Sequence, residues 1–209
     1  MSGAVMSGNI EAVVFDVGRV LYQWDLRCLY AKLIDDAGEL EWFVTHVVTE
    51  RWHHQQDEGR PLAEMVPERI AEYPDYAELI EAYAARFEET IPGPVPGSLE
   101  LVEALHGRGV PLYAVTNFGP DFWPPFRATR PVFDRFRDIV VSGVEKVAKP
   151  EPRIFEIAAQ RFGHAPANML FIDDKADNVD AAKALGWQGH LFEDADGLAT
   201  KLRLNGLID

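Results

Sequence analysis

Short apolar runs recur along the chain, and most of them are followed by a polar side chain. The first occupies residues 11–16 (EAVVFD) and ends in a carboxylate. Similar runs follow at residues 110–115, 138–141 and 168–172, with a weaker fifth at 188–192. Continuous apolar runs of this length are typical of strands buried on both faces of a parallel sheet.

Stretches with helical spacing and helix-ending glycines lie between these runs. They occupy residues 98–106, 152–162 and 177–185, and they are followed by Gly107, Gly163 and Gly186 respectively. Strands that alternate with helices predict a parallel sheet covered by helices on both faces. The predicted fold class is therefore α/β, with a Rossmann-like doubly wound core.

A long segment from residue 22 to residue 90 breaks this alternation. It is rich in helix formers and aromatic residues and contains no convincing strand, which predicts an inserted helical subdomain. Residues 91–97 (IPGPVPG) lead the chain back and have the proline and glycine content of a hinge. We expect residues 1–21 and 92–209 to form the α/β core and residues 22–91 to form a helical cap.

The overall charge narrows the range of partners. The chain has 209 residues and a net charge of −14, which disfavours nucleic acid and anionic membranes but allows a small anionic substrate at a locally positive site. The chain has one cysteine, and it has no apolar run of about 20 residues that could cross a membrane. Its first ten residues lack the pattern of a signal peptide, and Met6 could be the native start. A cytoplasmic location is expected.

Polar side chains stand directly after the apolar runs. They are Asp16 after the first, Thr116 and Asn117 after the second, Lys149 shortly after the third, and Asp173 and Asp174 after the fourth. Ligands of open parallel sheets bind beyond the carboxyl ends of the strands, so these groups should converge. Carboxylates there suit Mg²⁺, an ammonium and a hydroxyl suit a phosphoryl group, and an aspartate can act as nucleophile.

The segments FDVGRVL, VTN, K-P and DD-x-x-x-N resemble, in this order, the four motifs of the haloacid dehalogenase superfamily. The first and last are similar to the bacterial branch that contains α-glucose-1-phosphate phosphatase-like enzymes. This resemblance implies a Mg²⁺-dependent hydrolase that cleaves a small phosphomonoester, such as a sugar phosphate, through an aspartyl-phosphate intermediate. It also implies a helical cap inserted at the first position.

The resemblance further implies a role for each motif residue. Asp16 corresponds to the nucleophile and a metal ligand, Gly18 to a carbonyl ligand of the metal, and Asp174 to its direct carboxylate ligand. The substrate-binding positions correspond to Thr116, Asn117 and Lys149, with Arg19 as a further candidate in the first loop. Asp173 and Asn178 correspond to groups that orient Lys149 and the metal-bound waters.

One position departs from the superfamily pattern. Most phosphatases of the superfamily carry a second aspartate two residues after the nucleophile, as general acid and base, and here that position is Gly18. Either the leaving group departs unassisted, or a cap residue replaces the missing carboxylate. The cap candidates are Asp25, His53, His54, Asp57 and Glu58. The adjacent histidines should point apart on a helix, which makes them a poor metal pair and favours a surface role.

Two other functions remain open from the sequence. A 2-haloacid dehalogenase also uses an aspartyl nucleophile, although it needs no metal and the paired carboxylates argue against it. A non-catalytic protein could retain the phosphate and metal pocket without turnover. The segment 118–125 (FGPDFWPP) is predicted to be too rich in proline for a regular helix and to lie at the site entrance.

Overall fold

The computed structural model describes residues 9–209, so the expected start at Met6 lies outside the described part of the chain. Five parallel strands form one sheet with the order β3-β2-β1-β4-β5. The strands are β1 (Ala12–Phe15), β2 (Leu112–Thr116), β3 (Asp138–Val141), β4 (Met169–Asp173) and β5 (Gln188–Leu191). All five predicted strands are confirmed to within two residues at each end.

Eleven α-helices occur between residues 9 and 209. In the cap segment they are α1 (Arg27–Tyr30), α2 (Ala37–His46), α3 (Glu50–Asp57), α4 (Leu62–Glu72) and α5 (Ala77–Arg86). In the core they are α6 (Ser98–Gly107), α7 (Trp123–Ala128), α8 (Ser142–Glu145), α9 (Pro152–Phe162), α10 (Ala176–Ala184) and α11 (Ala195–Leu204). No helix in the described part of the chain is both long and apolar enough to span a membrane.

Strand β1 shows why the core is covered on both faces. Val13 and Phe15 belong to one apolar cluster, which includes residues of α6 and α11, whereas Ala12 and Val14 belong to a second cluster with residues of α9 and α10. Successive side chains of a strand point to opposite faces, so every position of this central strand is buried. The predicted doubly wound α/β core is confirmed.

The two chain segments that connect core and cap lie side by side. The amide of Gln23 donates to the Gly93 carbonyl at 2.9 Å, and the amide of Asp25 donates to the Thr90 carbonyl at 2.9 Å. The amide of Val95 donates to the Leu21 carbonyl, also at 2.9 Å. The chain therefore leaves the core and returns to it at one place. A cap spanning residues 22–91 remains our proposed boundary.

The cap packs on the core through aromatic rings and one buried hydroxyl. The rings of Phe87, at the end of the cap, and Phe122, in the core, stack with centroids 3.8 Å apart. The Ser142 hydroxyl donates to the backbone carbonyl of Asp57 at 2.5 Å and accepts from the Phe118 amide at 3.0 Å. These contacts fix the C-terminal end of α3 against the carboxyl edge of the sheet.

The proline-rich segment differs from its prediction. A helix begins at Trp123, inside the segment expected to be too rich in proline, and continues to Ala128. Pro124 and Pro125 lie in its first turn, where backbone amides have no partner within the helix. The prediction that these prolines exclude a helix was wrong, because their position in the turn matters more than their number.

Candidate active site

The sheet brings three predicted residues to one edge. Asp16 follows β1, Thr116 ends β2 and Asp173 ends β4, and both β2 and β4 pair directly with β1. The register places Phe15 beside Ala114 on one side and Ile172 on the other. Parallel strands end at a common edge, so the polar residues that follow them share one site.

Lys149 lies between two carboxylates. Its ammonium group is 2.7 Å from Asp16 Oδ1 and 2.7 Å from Asp173 Oδ2, and its side chain is 1% exposed. Burial acts to lower the pKa of Lys149, but Asp16 and Asp173 outweigh it, so the pKa is raised. The ammonium group is therefore held in its charged form.

Asp173 has no free carboxylate oxygen. Oδ1 accepts from the Lys175 amide at 2.8 Å and the Asn178 side chain at 2.9 Å. Oδ2 accepts from Lys149 at 2.7 Å and from Asn178 at 3.0 Å. These contacts match a residue that positions Lys149, which is the role the sequence resemblance implies.

Asp16 and Asp174 retain oxygen atoms for a ligand. Asp16 Oδ1 accepts from the Val17 amide at 2.7 Å and contacts Lys149, but within residues 9–209 no hydrogen bond reaches Oδ2. One carboxylate oxygen from each of Asp16, Asp173 and Asp174 lies within 4.8 Å of the others. Burial raises the pKa of Asp16 to about 7 against the opposing effect of Lys149, and burial also raises the pKa of Asp174. Crowded carboxylates of this kind are stabilised by a bound cation.

Thr116 and Asn117 have different surroundings. Thr116 is fully buried, and in the described part of the chain its hydroxyl has no hydrogen-bond partner. The Asn117 side chain donates to the Lys149 carbonyl at 3.0 Å and accepts from the Lys149 amide at 2.8 Å. The Asn117 side chain thus holds the lysine loop, whereas the buried hydroxyl of Thr116 has no partner of its own in the described residues.

Gly18 and Arg19 occupy the loop after β1. A Cβ atom on Gly18 would meet nothing within 4 Å, so the loop has room for a side chain at this position. Arg19 adopts a positive φ of 59°, and its guanidinium contacts Glu50 of α3 at 2.5 Å and lies 5.0 Å from the Trp24 ring. Arg19 therefore links the loop to the cap.

A cavity of about 430 Å³ lies between core and cap. All the motif residues line it except Thr116 and Asp173, which lie behind its surface. Part of the lining is an aromatic wall formed by Tyr22, Phe87, Phe118 and Phe126. Within this wall, Phe118 and Phe126 have ring centroids 4.9 Å apart, and Tyr22 and Phe126 are 5.3 Å apart. The cavity therefore has a charged end and an aromatic side.

Helix α3 contributes His53, His54 and Asp57 to the cavity lining. His53 is buried, so the surface role expected for it was wrong, and both histidine rings lie beside the same Asp57 oxygen, with His53 Nε2 at 3.4 Å and His54 Nδ1 at 3.7 Å. The His53 ring stacks between Trp24 and Phe87, with centroid distances of 4.7 and 5.6 Å, and its Nδ1 lies 2.5 Å from the Tyr83 hydroxyl. Trp52 is the one apolar residue of α3, so the helix has no apolar periodicity that could have indicated this burial.

Sequence comparison supports the interpretation of these motifs. A family model for haloacid dehalogenase-like hydrolases matches residues 10–186. A sesquiterpene phosphatase, astK of Aspergillus oryzae, is 29% identical over 207 residues, which are 97% of this chain and 99% of that protein. The phosphoglycolate phosphatase of Escherichia coli is 32% identical over 91 residues, which are 44% of this chain and 36% of that enzyme.

Solved structures show the same fold. A haloacid dehalogenase family enzyme from Bacteroides thetaiotaomicron superposes with a TM-score of 0.72 and 24% identity, over 93% of this chain and 99% of that one. A structure of the same enzyme contains magnesium and inorganic phosphate, and it superposes with a TM-score of 0.67 and 24% identity over 88% and 95% of the two chains. The matched family model, the parallel sheet and the four motifs together establish that the chain belongs to the haloacid dehalogenase-like hydrolases.

Proposed function

We propose that this hydrolase cleaves a small phosphomonoester through an aspartyl-phosphate intermediate on Asp16, with Mg²⁺ as cofactor. The observation that carries the proposal is the asymmetry of the carboxylates. Asp16 has an oxygen free at the cavity, whereas both oxygens of Asp173 are held by hydrogen bonds. An aspartate so placed suits nucleophilic attack on phosphorus.

The donor set fits magnesium. Asp16 and Asp174 offer free carboxylate oxygens at the cavity, and the Gly18 carbonyl is our proposed third protein ligand. Mg²⁺ prefers a few such oxygens together with substrate phosphate and water. When bound, the ion would neutralise charge on the phosphoryl group and on the crowded carboxylates. The magnesium and phosphate in the family enzyme from Bacteroides thetaiotaomicron support this assignment.

The remaining groups suit a phosphoryl group. The Lys149 ammonium, fixed by Asp173, would bind one phosphoryl oxygen, and the unpartnered Thr116 hydroxyl would donate to another. The backbone amide of Asn117 is proposed as a further contact. The Lys149 ammonium is already held in place by Asp173 before substrate binds, which is how transition-state charge is stabilised at little reorganisation cost.

Two classes of organic group are candidates for the leaving alcohol. A sugar is the class expected from the sequence resemblance. The aromatic wall favours an apolar alcohol instead, since aromatic side chains gain more from covering an apolar group than from facing sugar hydroxyls. The sesquiterpene phosphatase from Aspergillus oryzae, which aligns along nearly the whole chain, supports the apolar class.

A substrate panel with and without EDTA tests the proposal. The panel contains anomeric sugar phosphates, isoprenyl phosphates, aryl phosphates and a 2-haloacid. We expect phosphate release that requires Mg²⁺ and is abolished by EDTA. Halide release that is insensitive to EDTA would instead identify a dehalogenase. Phosphate binding without turnover of any substrate would identify a non-catalytic protein.

A further inference from the structure

The reaction proposed above is assisted when a nearby group donates a proton to the leaving oxygen. In most phosphatases of the superfamily an aspartate two residues after the nucleophile does this, and here that position is Gly18. The following inference rests on that proposed function. General acid and base help typically accelerates such steps by about 10²–10⁴-fold, so a replacement would be strongly felt for a poor leaving group. Any replacement must line the cavity and have a donor that no other group already uses.

Two of the five cap candidates do not meet the first condition. Asp25 does not line the cavity, and its carboxylate accepts from the Arg27 amide at 2.9 Å and pairs with the Arg27 guanidinium at 3.3 Å. Glu58 does not line the cavity either, and its side chain is 55% exposed. The candidates that remain are His53, His54 and Asp57, all on α3.

His53 has no free ring nitrogen. Its Nδ1 lies 2.5 Å from the Tyr83 hydroxyl and its Nε2 lies 3.4 Å from Asp57 Oδ2. The ring is held in a stack of aromatic rings, and burial lowers its pKa, so the neutral form is favoured. These contacts suit a residue that fixes Asp57 and leave it unable to reach a substrate.

His54 has the opposite environment. Its side chain is 42% exposed and lines the cavity, with Nδ1 3.7 Å from Asp57 Oδ2 and Nε2 3.7 Å from Glu58 Oε1, both beyond hydrogen-bond distance. Asp57 is buried, with its side chain 7% exposed and 3.4 Å from His53, and its Oδ1 has no hydrogen-bond partner among residues 9–209. A buried carboxylate beside an accessible imidazole can orient a catalytic histidine.

The surrounding charges support the same role for His54. Interaction with Asp57 raises the pKa of His54, against the opposing effect of burial. The other charged groups that act on it are Glu58, which raises the pKa, and Lys175 in the core loop after β4, which lowers it. The neighbouring His53 is also titratable. His54, Lys175 and Asp174 all line the same cavity, so the imidazole and the loop after β4 share one space.

We propose that His54 is the general acid and base of this hydrolase and that Asp57 is its positioning residue. In the first step, a carboxylate oxygen of Asp16 bonds to phosphorus and the bond from phosphorus to the leaving oxygen breaks. The His54 imidazolium gives its proton to that oxygen, releasing the alcohol. In the second step, neutral His54 takes a proton from water as the water oxygen bonds to phosphorus. Asp16 is thereby freed, phosphate leaves and the imidazolium is restored.

A leaving-group series on His54→Gln tests this role. We measure kcat/KM for substituted phenyl phosphates and alkyl phosphates with wild type, His54→Gln and His106→Gln. We expect a shallow dependence on alcohol pKa for wild type and a steep one for His54→Gln, with about 10²–10³-fold loss on alkyl phosphates and little loss on nitrophenyl phosphate. His106→Gln, the same change at an exposed residue of α6 outside the cavity, should match wild type.

A second variant guards against a folding defect. Gly18→Asp has room for its side chain, so His54→Gln combined with Gly18→Asp should regain a shallow dependence. A misfolded protein would not be rescued in this way. A parallel loss on all substrates without rescue, an unchanged slope in His54→Gln, or a steep slope already in wild type would each overturn the inference. The absence of any Mg²⁺-dependent turnover by wild type would instead overturn the proposed function.

Asp57→Asn separates positioning from a purely structural role. Removing the carboxylate should lower the pKa of His54, so the decline of kcat at high pH, where the imidazolium is lost, should begin at lower pH. The amide keeps the shape of the side chain, so a structural role alone would leave the pH profile unchanged. An unshifted profile in Asp57→Asn would therefore remove Asp57 from the proposal.

Discussion

The carboxyl edge of the sheet and helix α3 both line the cavity, and each contributes to a connected set of buried polar groups. At the sheet, the Lys149 ammonium lies 2.7 Å from Asp16 and 2.7 Å from Asp173. At α3, His53 lies 2.5 Å from the Tyr83 hydroxyl of α5 and 3.4 Å from Asp57, and burial lowers its pKa. The set at the sheet is thus centred on an ammonium held in its charged form, whereas the set at α3 is centred on an imidazole whose neutral form is favoured.

The largest effect should come from the charged edge of the sheet. Asp16→Asn should lower kcat by roughly a thousandfold or more, because an amide cannot attack phosphorus and binds Mg²⁺ poorly. Circular dichroism should show an intact fold. A folded variant that retains about a tenth of wild-type turnover or more would show that Asp16 is not the nucleophile.

The next effect should come from the metal side of the same edge. Asp174→Ala should weaken the apparent affinity for Mg²⁺ by at least about tenfold, with partial recovery of activity at high Mg²⁺. The matched control is Asp180→Ala on α10, whose carboxylate is 76% exposed. Titration of activity with Mg²⁺ compares the two. Equal metal dependence in both variants would exclude Asp174 as a ligand.

A smaller effect should come from the contact between α3 and the core. A Cβ atom at Gly119 would lie 0.8 Å from the fully buried Gln56 side chain of α3, so Gly119→Ala must displace it. We expect about 1–3 kcal/mol of destabilisation and a raised KM as the cap shifts. Gly107→Ala, which meets nothing within 4 Å, is the control. Thermal unfolding measures the destabilisation. Small-angle scattering, with and without a metal-fluoride phosphate mimic, measures the position of the cap. A cap position that the mimic does not change would count against the predicted hinge at residues 91–97.

The smallest effect concerns His53 and pH. Its pKa is lowered in the folded protein, so the unfolded chain binds the proton more tightly, and stability is lost as pH falls below about 6.5. The slope for one proton cannot exceed about 1.4 kcal/mol per pH unit. Asp16, whose pKa is raised to about 7, has the opposite effect over this range, so the test is the difference between variants. On going from pH 7.5 to pH 5.5, denaturant unfolding should show a less favourable change in stability for wild type and for His106→Gln, an exposed residue of α6, than for His53→Gln. An equal change in all three would assign the effect elsewhere.

The sequence predicted the edge of the sheet better than it predicted the cap. Asp16 and Asp173 could be located because a buried parallel strand must end at the ligand-binding edge, so one rule fixes both their order and their position. His53 could not be placed in this way. Its burial depends on Trp24 and Phe87, which are distant in sequence, and on how the cap packs against the core.

Two other features of the structure were also weakly indicated or missed in the sequence. The weak fifth run became β5, whose residues are only partly buried, because an edge strand lacks the continuous apolar pattern of the central ones. The Ser142 hydroxyl, which joins the core to the end of α3, stands among residues with no motif around it. Contacts between segments that are distant in sequence depend on how those segments are oriented in the fold, and no local sequence pattern specifies this orientation.

The paired linkers have a consequence for how such enzymes can diversify. Residues 21–25 and 90–95 run side by side, so the cap begins and ends at nearly the same point on the core. An inserted segment whose two ends meet can be lengthened, shortened or exchanged by recombination while strands β1 and β4 keep their register. A chimera that carries a relative's cap on this core should therefore fold and take on the relative's choice of alcohol, with its metal requirement unaltered.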